Sequence, residues 1–193
     1  LPTVKDLAEA SEDKLLKLLE GLGYYNRVRN MQKAAQKIEE EYAGKFPENY
    51  EEIKALPGIG NYTAGAISSF AYGIPKPAVD GNVLRVVSRL LASDEDIMKA
   101  SVRTKIENAI EPVIPEDAAS DFNQGLIELG AIVCVPNGEA KCEICPLTGI
   151  CEAKRLGIQN ELPVKKKAKA RRIEERTVLI FKDGDHVAIR KRP

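Results

Sequence analysis

The sequence predicts a mainly α-helical protein that ends in a short β-hairpin. Between residues 3 and 133, apolar residues recur at intervals of three and four positions, which is typical of amphipathic helices. Glycine and proline interrupt this pattern at Gly44, Pro57 and Gly73, where helices are expected to end or turn. After Cys151 the helical period is lost, and a run of β-branched and aromatic residues follows near the end of the chain.

Two helices are predicted before Gly44. Ser11 suits the N-cap of the first helix, because its hydroxyl can accept a hydrogen bond from a free backbone N–H group. The stripe of this helix is Leu15, Leu18, Leu19 and Leu22. The stripe of the second, longer helix is Val28, Met31, Ala35, Ile38 and Tyr42. We expect both stripes to face the core and to have no chemical role.

Further helices are predicted between residues 49 and 133. A short helix runs from Asn49 to Ala55, and the next runs from Asn61 to Tyr72 and stops at Gly73. The helix after Asp80 has a predicted buried face at Val83, Val86, Val87, Leu90 and Leu91. The last two helices are marked by Val102, Ile106 and Ile110, and by Phe122, Leu126, Leu129 and Val133. These stripes predict a helical core.

The C-terminal part of the sequence predicts a linker and a hairpin. Residues 157–175 are polar and basic, and such a run is either a solvated linker or an arm that attracts phosphate. Its basic cluster is Lys165, Lys166, Lys167, Lys169, Arg171 and Arg172. Residues 177–181 and 187–189 predict two strands joined by a tight turn at residues 183–185. Because two strands alone are marginally stable in water, we expect residues 176–193 to begin a second domain.

Composition argues against a membrane protein and leaves the binding partner open. The chain has 193 residues, of which 44% are hydrophobic and 30% charged, so it is long enough for one globular domain with an ample core. No apolar run approaches the length that spans a bilayer, and no signal peptide is visible at the start. The net charge of zero argues neither for nor against DNA binding. We expect a monomer in the bacterial cytoplasm, where cysteines stay reduced.

The most informative stretch lies between residues 56 and 82. Leu56-Pro57-Gly58-Ile59-Gly60 predicts a glycine turn before a helix, where unpaired backbone N–H groups and the helix dipole suit a phosphate. Such a turn is also ordinary turn chemistry between two helices. Asp80 then places one carboxylate at the start of the next helix, where an aspartate is most often an N-cap. The glycine turn could hold the backbone of a nucleic acid, and the Asp80 carboxylate could then act on a nucleotide of the bound strand.

All four cysteines fall close together, and gaps of 7, 2 and 5 residues separate them. They are Cys134, Cys142, Cys145 and Cys151. Four clustered thiolates suit either a tetrahedral zinc ion or a four-iron, four-sulfur (4Fe–4S) cluster, and the spacing alone slightly favours zinc. A disulfide is the weaker alternative in a chain without an export signal.

Residues 56–90 read LPGIGNYTAGAISSFAYGIPKPAVDGNVLRVVSRL, and this stretch resembles the helix-hairpin-helix DNA glycosylases of the endonuclease III superfamily. It is most similar to their adenine glycosylase branch, whose members remove adenine mispaired with 8-oxoguanine. The motifs agree in order and spacing from about Leu1 to Glu161. The resemblance implies a helix-hairpin-helix glycosylase fold for residues 1–156, an iron–sulfur loop at residues 134–151 and the start of a Nudix-like domain at residues 176–193.

The resemblance also implies roles for residues of the glycine turn and of the next helix start. The DNA backbone would be held by Leu56, Gly58, Ile59 and Gly60. Gly58 and Gly60 are expected to adopt backbone geometries that other residues disfavour. Asp80 would be the catalytic carboxylate, which stabilises or captures the positive charge that develops on the deoxyribose. Asn82 would form a hydrogen bond beside it.

Two tyrosines and a lysine complete the implied site. Endonuclease III-like enzymes place a lysine at the position of Tyr62 and form a Schiff base with the sugar, which a phenol cannot do. We therefore expect a monofunctional glycosylase that leaves the strand intact, unless Tyr62 is only a core aromatic. Tyr24 is expected to act as a wedge in the duplex from which the base is extruded, with Tyr25 as the alternative core-facing residue. Lys141 is expected to face DNA phosphate.

By resemblance, the four cysteines hold a 4Fe–4S cluster rather than zinc, with a structural and electrostatic role. The family usually has six residues in the first gap, whereas this chain has seven. Gly138 lies within the longer gap, so the extra residue is expected to be accommodated in the loop.

One expected group is missing from the sequence. The family's general acid is a glutamate in a motif like S-E-(I/V)-M-L-Q-Q-T, which does not occur in this chain. We expect it upstream of Leu1 in a longer protein, and we therefore expect this chain to bind DNA weakly and to cleave little. The expected substrate is double-stranded DNA with adenine opposite 8-oxoguanine or guanine. The alternatives are a thymine-mismatch or endonuclease III-like glycosylase, and a non-catalytic DNA-binding module with a zinc site.

Overall fold

The computed structural model of the chain describes residues 1–166, 173–175 and 177–188. Its α-helices are α1 (Val4–Glu9), α2 (Glu12–Leu18), α3 (Tyr25–Tyr42), α4 (Tyr50–Lys54), α5 (Asn61–Tyr72), α6 (Gly81–Leu90), α7 (Ala100–Ile110), α8 (Ala119–Glu128) and α9 (Glu152–Leu156). Two short strands follow, β1 (Lys182–Asp183) and β2 (His186–Val187). The predicted fold class is confirmed. None of the helices in the described residues is long and apolar enough to cross a membrane.

Helix α6 lies at the centre of the fold. It packs against α7, α8, α9 and the π-helical turn Leu129–Val133, while α1 and α2 pack on α3 and α4 packs on α5. Every residue of α6 from Val83 to Arg89 is buried, because neighbours cover all sides of the helix. The apolar core around α6 and α7 contains Val79, Val83, Leu84, Val87, Ile97, Val102, Ile106, Ile110, Ile114 and Ala119.

The helix boundaries follow local signals in the sequence. The Ser11 hydroxyl accepts a hydrogen bond from the Lys14 N–H group at 3.3 Å, which confirms the predicted cap of α2. Asn49 caps α4 in the same way through the Glu52 N–H group at 2.9 Å. Gly73 ends α5 in the left-handed conformation with φ of 65°, as a C-terminal glycine usually does.

Several residues of the predicted stripes are not in the core. Leu91 is 61% exposed, because α6 ends at Leu90 and the chain turns away. Leu18, Leu22 and Met31 are 62%, 68% and 53% exposed. Together with Leu1 and other apolar residues of the first helices, they line an open apolar groove, named here the N-terminal groove. The expectation that both N-terminal stripes are fully buried is therefore wrong for these residues.

The helix predicted to run through Val133 changes character on the way. Its α-helical part, α8, ends at Glu128, and the chain continues as a π-helical turn over Leu129–Val133. π-helical turns often mark functional positions, because they shift the side chains that follow. Here the turn leads directly into the first cysteine.

The first part of the expected linker is packed on the helical domain. Leu162 is 6% exposed, and its carbonyl accepts a hydrogen bond from Arg89 Nε at 3.0 Å. The Val164 carbonyl accepts a hydrogen bond from the Ile97 N–H group at 3.1 Å. Residues 158–166 therefore form a strap across the end of α6 and the loop before α7. The later basic residues of the linker, Lys167, Lys169, Arg171 and Arg172, lie outside the described residues.

The C-terminal hairpin is antiparallel, with Lys182 opposite Val187 and Asp183 opposite His186. The turn lies at Gly184 and Asp185, within the predicted turn. The strand predicted at residues 177–181 is wrong, since none of these residues is in a strand and β1 begins at Lys182. The second strand, β2, has two residues and includes only Val187 of its predicted range, of which position 189 lies outside the described residues.

Candidate functional site

The glycine turn between α4 and α5 needs glycine at one of its two glycine positions. Leu56 is 2% exposed and anchors the turn, and its carbonyl accepts a hydrogen bond from the Ile59 N–H group at 3.2 Å. Gly58 has φ of +80°, and a Cβ atom there would lie 2.6 Å from Cβ of Asn30. Gly60 has φ of −96°, which any residue adopts. The expectation that Gly60 needs an unusual backbone geometry is therefore wrong.

The N-terminus of α5 is open at its cap. Gly60 is the N-cap residue and has no side chain to accept hydrogen bonds from the first N–H groups of the helix. Gly60 is exposed, and a Cβ atom at this position would meet nothing within 4 Å. Free backbone donors and the positive end of the helix dipole therefore lie next to open space, which suits an anion such as phosphate.

Asp80 caps α6 and contacts Asn82 with its two oxygens. Oδ1 accepts hydrogen bonds from the N–H groups of Asn82 at 2.8 Å and Val83 at 2.9 Å. Oδ2 accepts a hydrogen bond from Asn82 Nδ2 at 2.8 Å. The carboxylate is half-buried, so it is held in one orientation and still reaches the surface. A cap role and a hydrogen bond from Asn82 therefore occur together.

Asn82 connects Asp80 to a buried arginine. Asn82 Oδ1 accepts a hydrogen bond from Arg85 Nη2 at 2.8 Å. The same Nη2 donates to the Gly130 carbonyl at 2.6 Å, and Arg85 Nε donates to the Cys134 carbonyl at 2.7 Å. Burial and the nearby Arg89 lower the pKa of Arg85, which still remains charged near neutral pH. A continuous chain of hydrogen bonds thus runs from Asp80 to the first cysteine.

A second buried arginine, one turn later on α6, contacts the cysteines directly. Arg89 is 3% exposed, and its Nη1 donates to Cys134 Sγ at 3.2 Å and to the Val135 carbonyl at 3.0 Å. The Cys151 thiol donates to the Arg89 carbonyl at 3.5 Å. Arg89 therefore brings positive charge to the cysteines and ties two of them to α6.

The segment before Asp80 is fixed by Asn123 and Gly65. Asn123 is 2% exposed; its Oδ1 accepts a hydrogen bond from the Ala78 N–H group at 2.8 Å, and its Nδ2 donates to the Lys76 carbonyl at 3.0 Å. A Cβ atom on Gly65 would lie 1.9 Å from the Pro77 carbonyl oxygen. Helix α5 can approach this segment only because Gly65 has no side chain.

The four cysteines surround one small pocket, which Arg89, Thr148 and Gln159 also line. None of the four forms a disulfide in the described residues. Burial raises the pKa of the Cys142 thiol. No three His, Cys, Asp or Glu side chains of the described residues converge closely enough to hold a single metal ion. Four thiols around one pocket, with the buried cation of Arg89 against one sulfur, are a donor set that could hold a metal or an iron–sulfur group.

The three remaining predicted residues lie on the surface. Tyr24 is 70% exposed, has φ of 58° at the N-cap of α3, and has the Arg27 guanidinium 4.8 Å above its ring. Tyr62 is 40% exposed in the first turn of α5, and Lys141 is exposed beside the cysteine pocket. No hydrogen bond or ion pair in the described part of the chain joins these residues to Asp80. Tyr62 is therefore not a fully buried core aromatic.

Sequence patterns missed the polar residues inside the domain. Arg85, Arg89, Glu107 and Asn123 are all buried, although they are polar or charged. The one available signal was on α6, where two arginines four positions apart interrupt an otherwise apolar helix. Glu107 and Asn123 gave no signal, because single polar residues in helices are most often on the surface.

Residues 1–112 match the model of the HhH-GPD superfamily base excision DNA repair protein. The chain is 40% identical over 162 residues to the adenine DNA glycosylase of Homo sapiens, which covers 83% of this chain and 30% of that protein. It is 40% identical over 152 residues to the adenine DNA glycosylase of Buchnera aphidicola, which covers 79% of this chain and 43% of that protein. The chain therefore spans less than half the length of these two relatives.

Smaller relatives are matched over more of their length. The thymine-DNA glycosylase of Aeropyrum pernix is 32% identical over 153 residues, which cover 78% of this chain and 68% of that protein. The solved structure of a thermostable thymine-DNA glycosylase matches with a TM-score of 0.70 and 26% identity, over 81% of this chain and 71% of that one. A non-covalent endonuclease III–DNA complex matches with a TM-score of 0.68 and 29% identity, over 82% and 72% of the two chains.

Proposed function

Because this chain belongs to the HhH-GPD superfamily of base excision DNA repair proteins, we propose that it provides the catalytic core of an adenine DNA glycosylase. The proposed reaction is hydrolysis of the N-glycosidic bond of adenine paired with 8-oxoguanine or guanine. We propose adenine rather than thymine as the excised base, because the chain is about 40% identical to the adenine DNA glycosylases and 32% identical to the thymine-DNA glycosylase.

Asp80 is proposed to be the catalytic carboxylate. Cleavage of the N-glycosidic bond builds positive charge on the deoxyribose, which a fixed carboxylate nearby stabilises or captures. The geometry of Asp80 supports this role. Its cap bonds and its contact with Asn82 hold the carboxylate in place, and the carboxylate stays half-exposed. Asn82, held in turn by Arg85, is proposed to keep the second carboxylate oxygen oriented.

The glycine turn at residues 56–60 is proposed to hold the DNA backbone. Its support is the uncapped N-terminus of α5 beside an exposed glycine. Such contacts position DNA without reading its sequence. Lys141 and Tyr24 are proposed to add a phosphate contact and a wedge, since both are exposed and Tyr24 projects from a left-handed residue.

Tyr62 is proposed to make the enzyme monofunctional. A lysine at this position would attack the sugar and form an imine, which leads to strand cleavage. A phenol has no amine and cannot form that imine. The product is therefore an abasic site in an intact strand.

The four cysteines are proposed to hold a 4Fe–4S cluster. One zinc ion holds its sulfurs about 2.3 Å away and hence about 3.8 Å from one another, whereas a four-iron cluster separates its cysteine sulfurs more widely. The proposal is supported by the family resemblance and by the four thiols, which all line one pocket. When bound, the cluster would supply charge and a rigid anchor for residues 134–151, and Arg89 would balance part of its charge.

The hydrogen-bonded Asp80 at the start of α6 is the observation that carries the proposal, and Asp80→Asn tests it. Asparagine keeps the cap bonds but loses the acceptor for Asn82 Nδ2, so the free energy of unfolding should fall by only about 1 kcal/mol. Excision of adenine opposite 8-oxoguanine should fall by about 10²-fold or more, because the carboxylate charge is lost. The measurement is single-turnover excision, detected by alkaline cleavage of the abasic strand, together with urea unfolding. A variant that excises adenine at the original rate would contradict the role of Asp80.

The assay should compare this chain with the longest reading frame that contains it. Duplexes with adenine opposite 8-oxoguanine, adenine opposite guanine and thymine opposite guanine separate the adenine proposal from the thymine alternative. Equal, fast excision by both proteins would contradict the expectation that excision needs a glutamate general acid that residues 1–193 do not contain. Borohydride trapping should give no substantial protein–DNA adduct if Tyr62 has the proposed role.

Metal analysis separates the two candidate groups of the cysteine pocket. A brown protein with broad visible absorption and about four iron atoms per chain is expected for the cluster. One zinc atom and no iron would support the zinc-containing DNA-binding module instead.

A further inference from the structure

Helix α7 contacts both halves of the candidate site from one face. Arg103 Nη1 donates a hydrogen bond to the Val79 carbonyl at 3.3 Å, and Val79 is the residue before the N-cap of α6. Glu107 Oε2 accepts a hydrogen bond from Asn61 Nδ2 at 2.9 Å, and Asn61 is the first residue of α5. Arg103 and Glu107 are four positions apart, so they lie on the same side of α7, one turn apart.

Glu107 occupies a position that does not favour a carboxylate. The residue is 8% exposed, and its neighbours Ile106 and Ile110 belong to the apolar core. Its Oε1 atom has no hydrogen-bond partner in the described residues. Burial of a carboxylate is unfavourable unless hydrogen bonds or charges compensate it, and a leucine would fill the same space without this cost. A contribution to folding stability therefore does not explain the Glu107 carboxylate, whereas its hydrogen bond to Asn61 does.

The group that Glu107 holds lies at the open end of α5. The hydrogen bond draws the Asn61 amide towards the core, and the free N–H groups next to Gly60 stay uncovered. The positive end of the α5 dipole offsets part of the carboxylate charge. The same charge opposes a phosphate bound at this helix end, so the benefit of Glu107 to phosphate binding must come from geometry.

We propose that Glu107 and Arg103 are positioning residues that set the distance between the held DNA strand and Asp80. Glu107 fixes the N-terminus of α5, and Arg103 fixes the chain just before Asp80. This inference rests on the proposed function, because it assigns the two ends of the α7 contact to DNA binding and to catalysis. It follows that Glu107 acts on affinity, whereas Arg103 acts on the rate of bond cleavage.

The first experiment measures the affinity for undamaged duplex DNA by fluorescence anisotropy. Glu107→Leu and Asn61→Ala each remove the hydrogen bond and should raise the Kd about tenfold, because the N-terminus of α5 is then no longer fixed before DNA binds. Glu107→Gln keeps an acceptor and removes the opposing charge, so it should bind as tightly as the original protein or more tightly. Asn108→Leu, at an exposed position of the same helix, is the matched control and should leave the Kd unchanged.

Nuclear magnetic resonance of the Asn61 side-chain amide shows in which variants the hydrogen bond to position 107 is kept, so that a change in Kd can be assigned to this bond. The amide should be shifted and protected in Glu107→Gln and released in Glu107→Leu. If Glu107→Gln weakened binding as much as Glu107→Leu, or if Glu107→Leu bound DNA normally, the role of Glu107 would be disproved. If Glu107→Leu does not fold, the Kd values of Asn61→Ala, which lacks the hydrogen bond, and Glu107→Gln, which keeps it, are compared instead.

The second experiment measures single-turnover excision at saturating DNA. Arg103→Met should slow excision about tenfold, since it frees the carbonyl next to the N-cap of α6. Its Kd should change no more than that of Lys105→Met, which removes a positive charge from an exposed position on α7. Equal losses of rate in the two variants would overturn the role of Arg103.

The two proposals fail in different ways. If the reading frame that contains this chain excises no base, or if Asp80→Asn has no effect, the proposed function fails. The Kd for undamaged duplex and the Asn61 amide signal still test Glu107 in that case. If excision depends on Asp80 but Glu107→Leu and Arg103→Met behave like their controls, only the inference on α7 fails.

Discussion

The segment that leads to Asp80 and the N-terminal groove are built in different ways. Around Asp80, hydrogen bonds with the side chains of Asn82 and Asn123 fix the carboxylate and the backbone, and Gly65 lets α5 pack directly on this segment. In the groove, Leu18 and Leu22 are more than half exposed. Buried polar contacts thus fix the geometry in one region, whereas apolar residues leave an open surface in the other.

The difference teaches that a regular apolar pattern and a precise structure are separate properties. The leucine stripe of the first helices is among the clearest patterns in the sequence, yet only Leu15 in it is buried. The segment before Asp80 has no period at all, yet hydrogen bonds with Asn123 and the close approach of Gly65 fix it. Substitutions should therefore have large effects near Asp80 and small effects in the groove.

The largest expected effect is that of Gly65→Ala. The new Cβ atom would lie 1.9 Å from the Pro77 carbonyl oxygen, and both groups belong to backbone that cannot move freely. We expect a loss of about 3 kcal/mol or more in the free energy of unfolding, measured by urea denaturation. The matched control is Gly125→Ala in α8, where a Cβ atom meets nothing within 4 Å, and this variant should gain about 0.5–1 kcal/mol. Equal stabilities of the two variants would contradict the close packing of α5.

The next effect is that of Arg85→Met. This change leaves the Gly130 and Cys134 carbonyls without their buried donor and releases Asn82. We expect a loss of about 2–3 kcal/mol in the free energy of unfolding, since the lost hydrogen bonds come from a charged donor. Arg155→Met, which breaks only an exposed ion pair, should show no measurable loss. A stable Arg85→Met protein would mean that the hydrogen bonds from Asp80 to Cys134 are not essential to the fold.

A comparison within the groove should give a smaller contrast. Leu15 is 3% exposed, so Leu15→Ala should cost about 2 kcal/mol in unfolding free energy. Leu18 is 62% exposed, so Leu18→Ala should cost less than about 0.5 kcal/mol. Urea denaturation of both variants in this chain measures the contrast. A large cost for Leu18→Ala would show that the groove is covered in solution.

The smallest effect concerns the start of α1. Hydrogen bonds from the Thr3 hydroxyl and N–H group lower the pKa of Asp6 below its ordinary value of 3.8. These bonds therefore stabilise the folded protein above that pH and are lost as the pH falls through the lowered pKa. The stability difference between the original protein and Thr3→Ala should be constant near neutral pH and should shrink below pH 3.8. A difference that stays constant into strong acid would contradict the role of the Asp6 carboxylate.

Sequence patterns predicted most of the helices and the residues at their ends, although three helices rather than two precede Gly44 and α9 was not predicted. Caps and stops such as Ser11, Asn49 and Gly73 act locally, so their neighbours in the sequence are sufficient to identify them. The hydrogen bond between Asp80 and Asn82, which the family resemblance implies, joins residues that are separated by only one position. Roles for the site residues came from resemblance and remain proposals.

The remaining features depend on contacts between distant parts of the chain. Arg85 meets Gly130 and Cys134, more than forty positions away, and Glu107 meets Asn61 across a similar distance. A helical period cannot reveal such pairs, since it reports only which side of a helix is apolar. The sequence predicts a linker where the strap at residues 158–166 lies, because the partners of the strap on α6 and the following loop are far away in the sequence.

Tyr24 shows how a surface residue can be ordered in advance. Its φ of 58° is unusual for a residue with a side chain, and the Arg27 guanidinium stacks on its ring. The backbone conformation and the contact with Arg27 therefore favour one orientation of this exposed ring. A molecule that stacks on the ring would lose less conformational entropy on association than it would with a freely rotating side chain. Preorganisation of this kind raises affinity without adding a single contact.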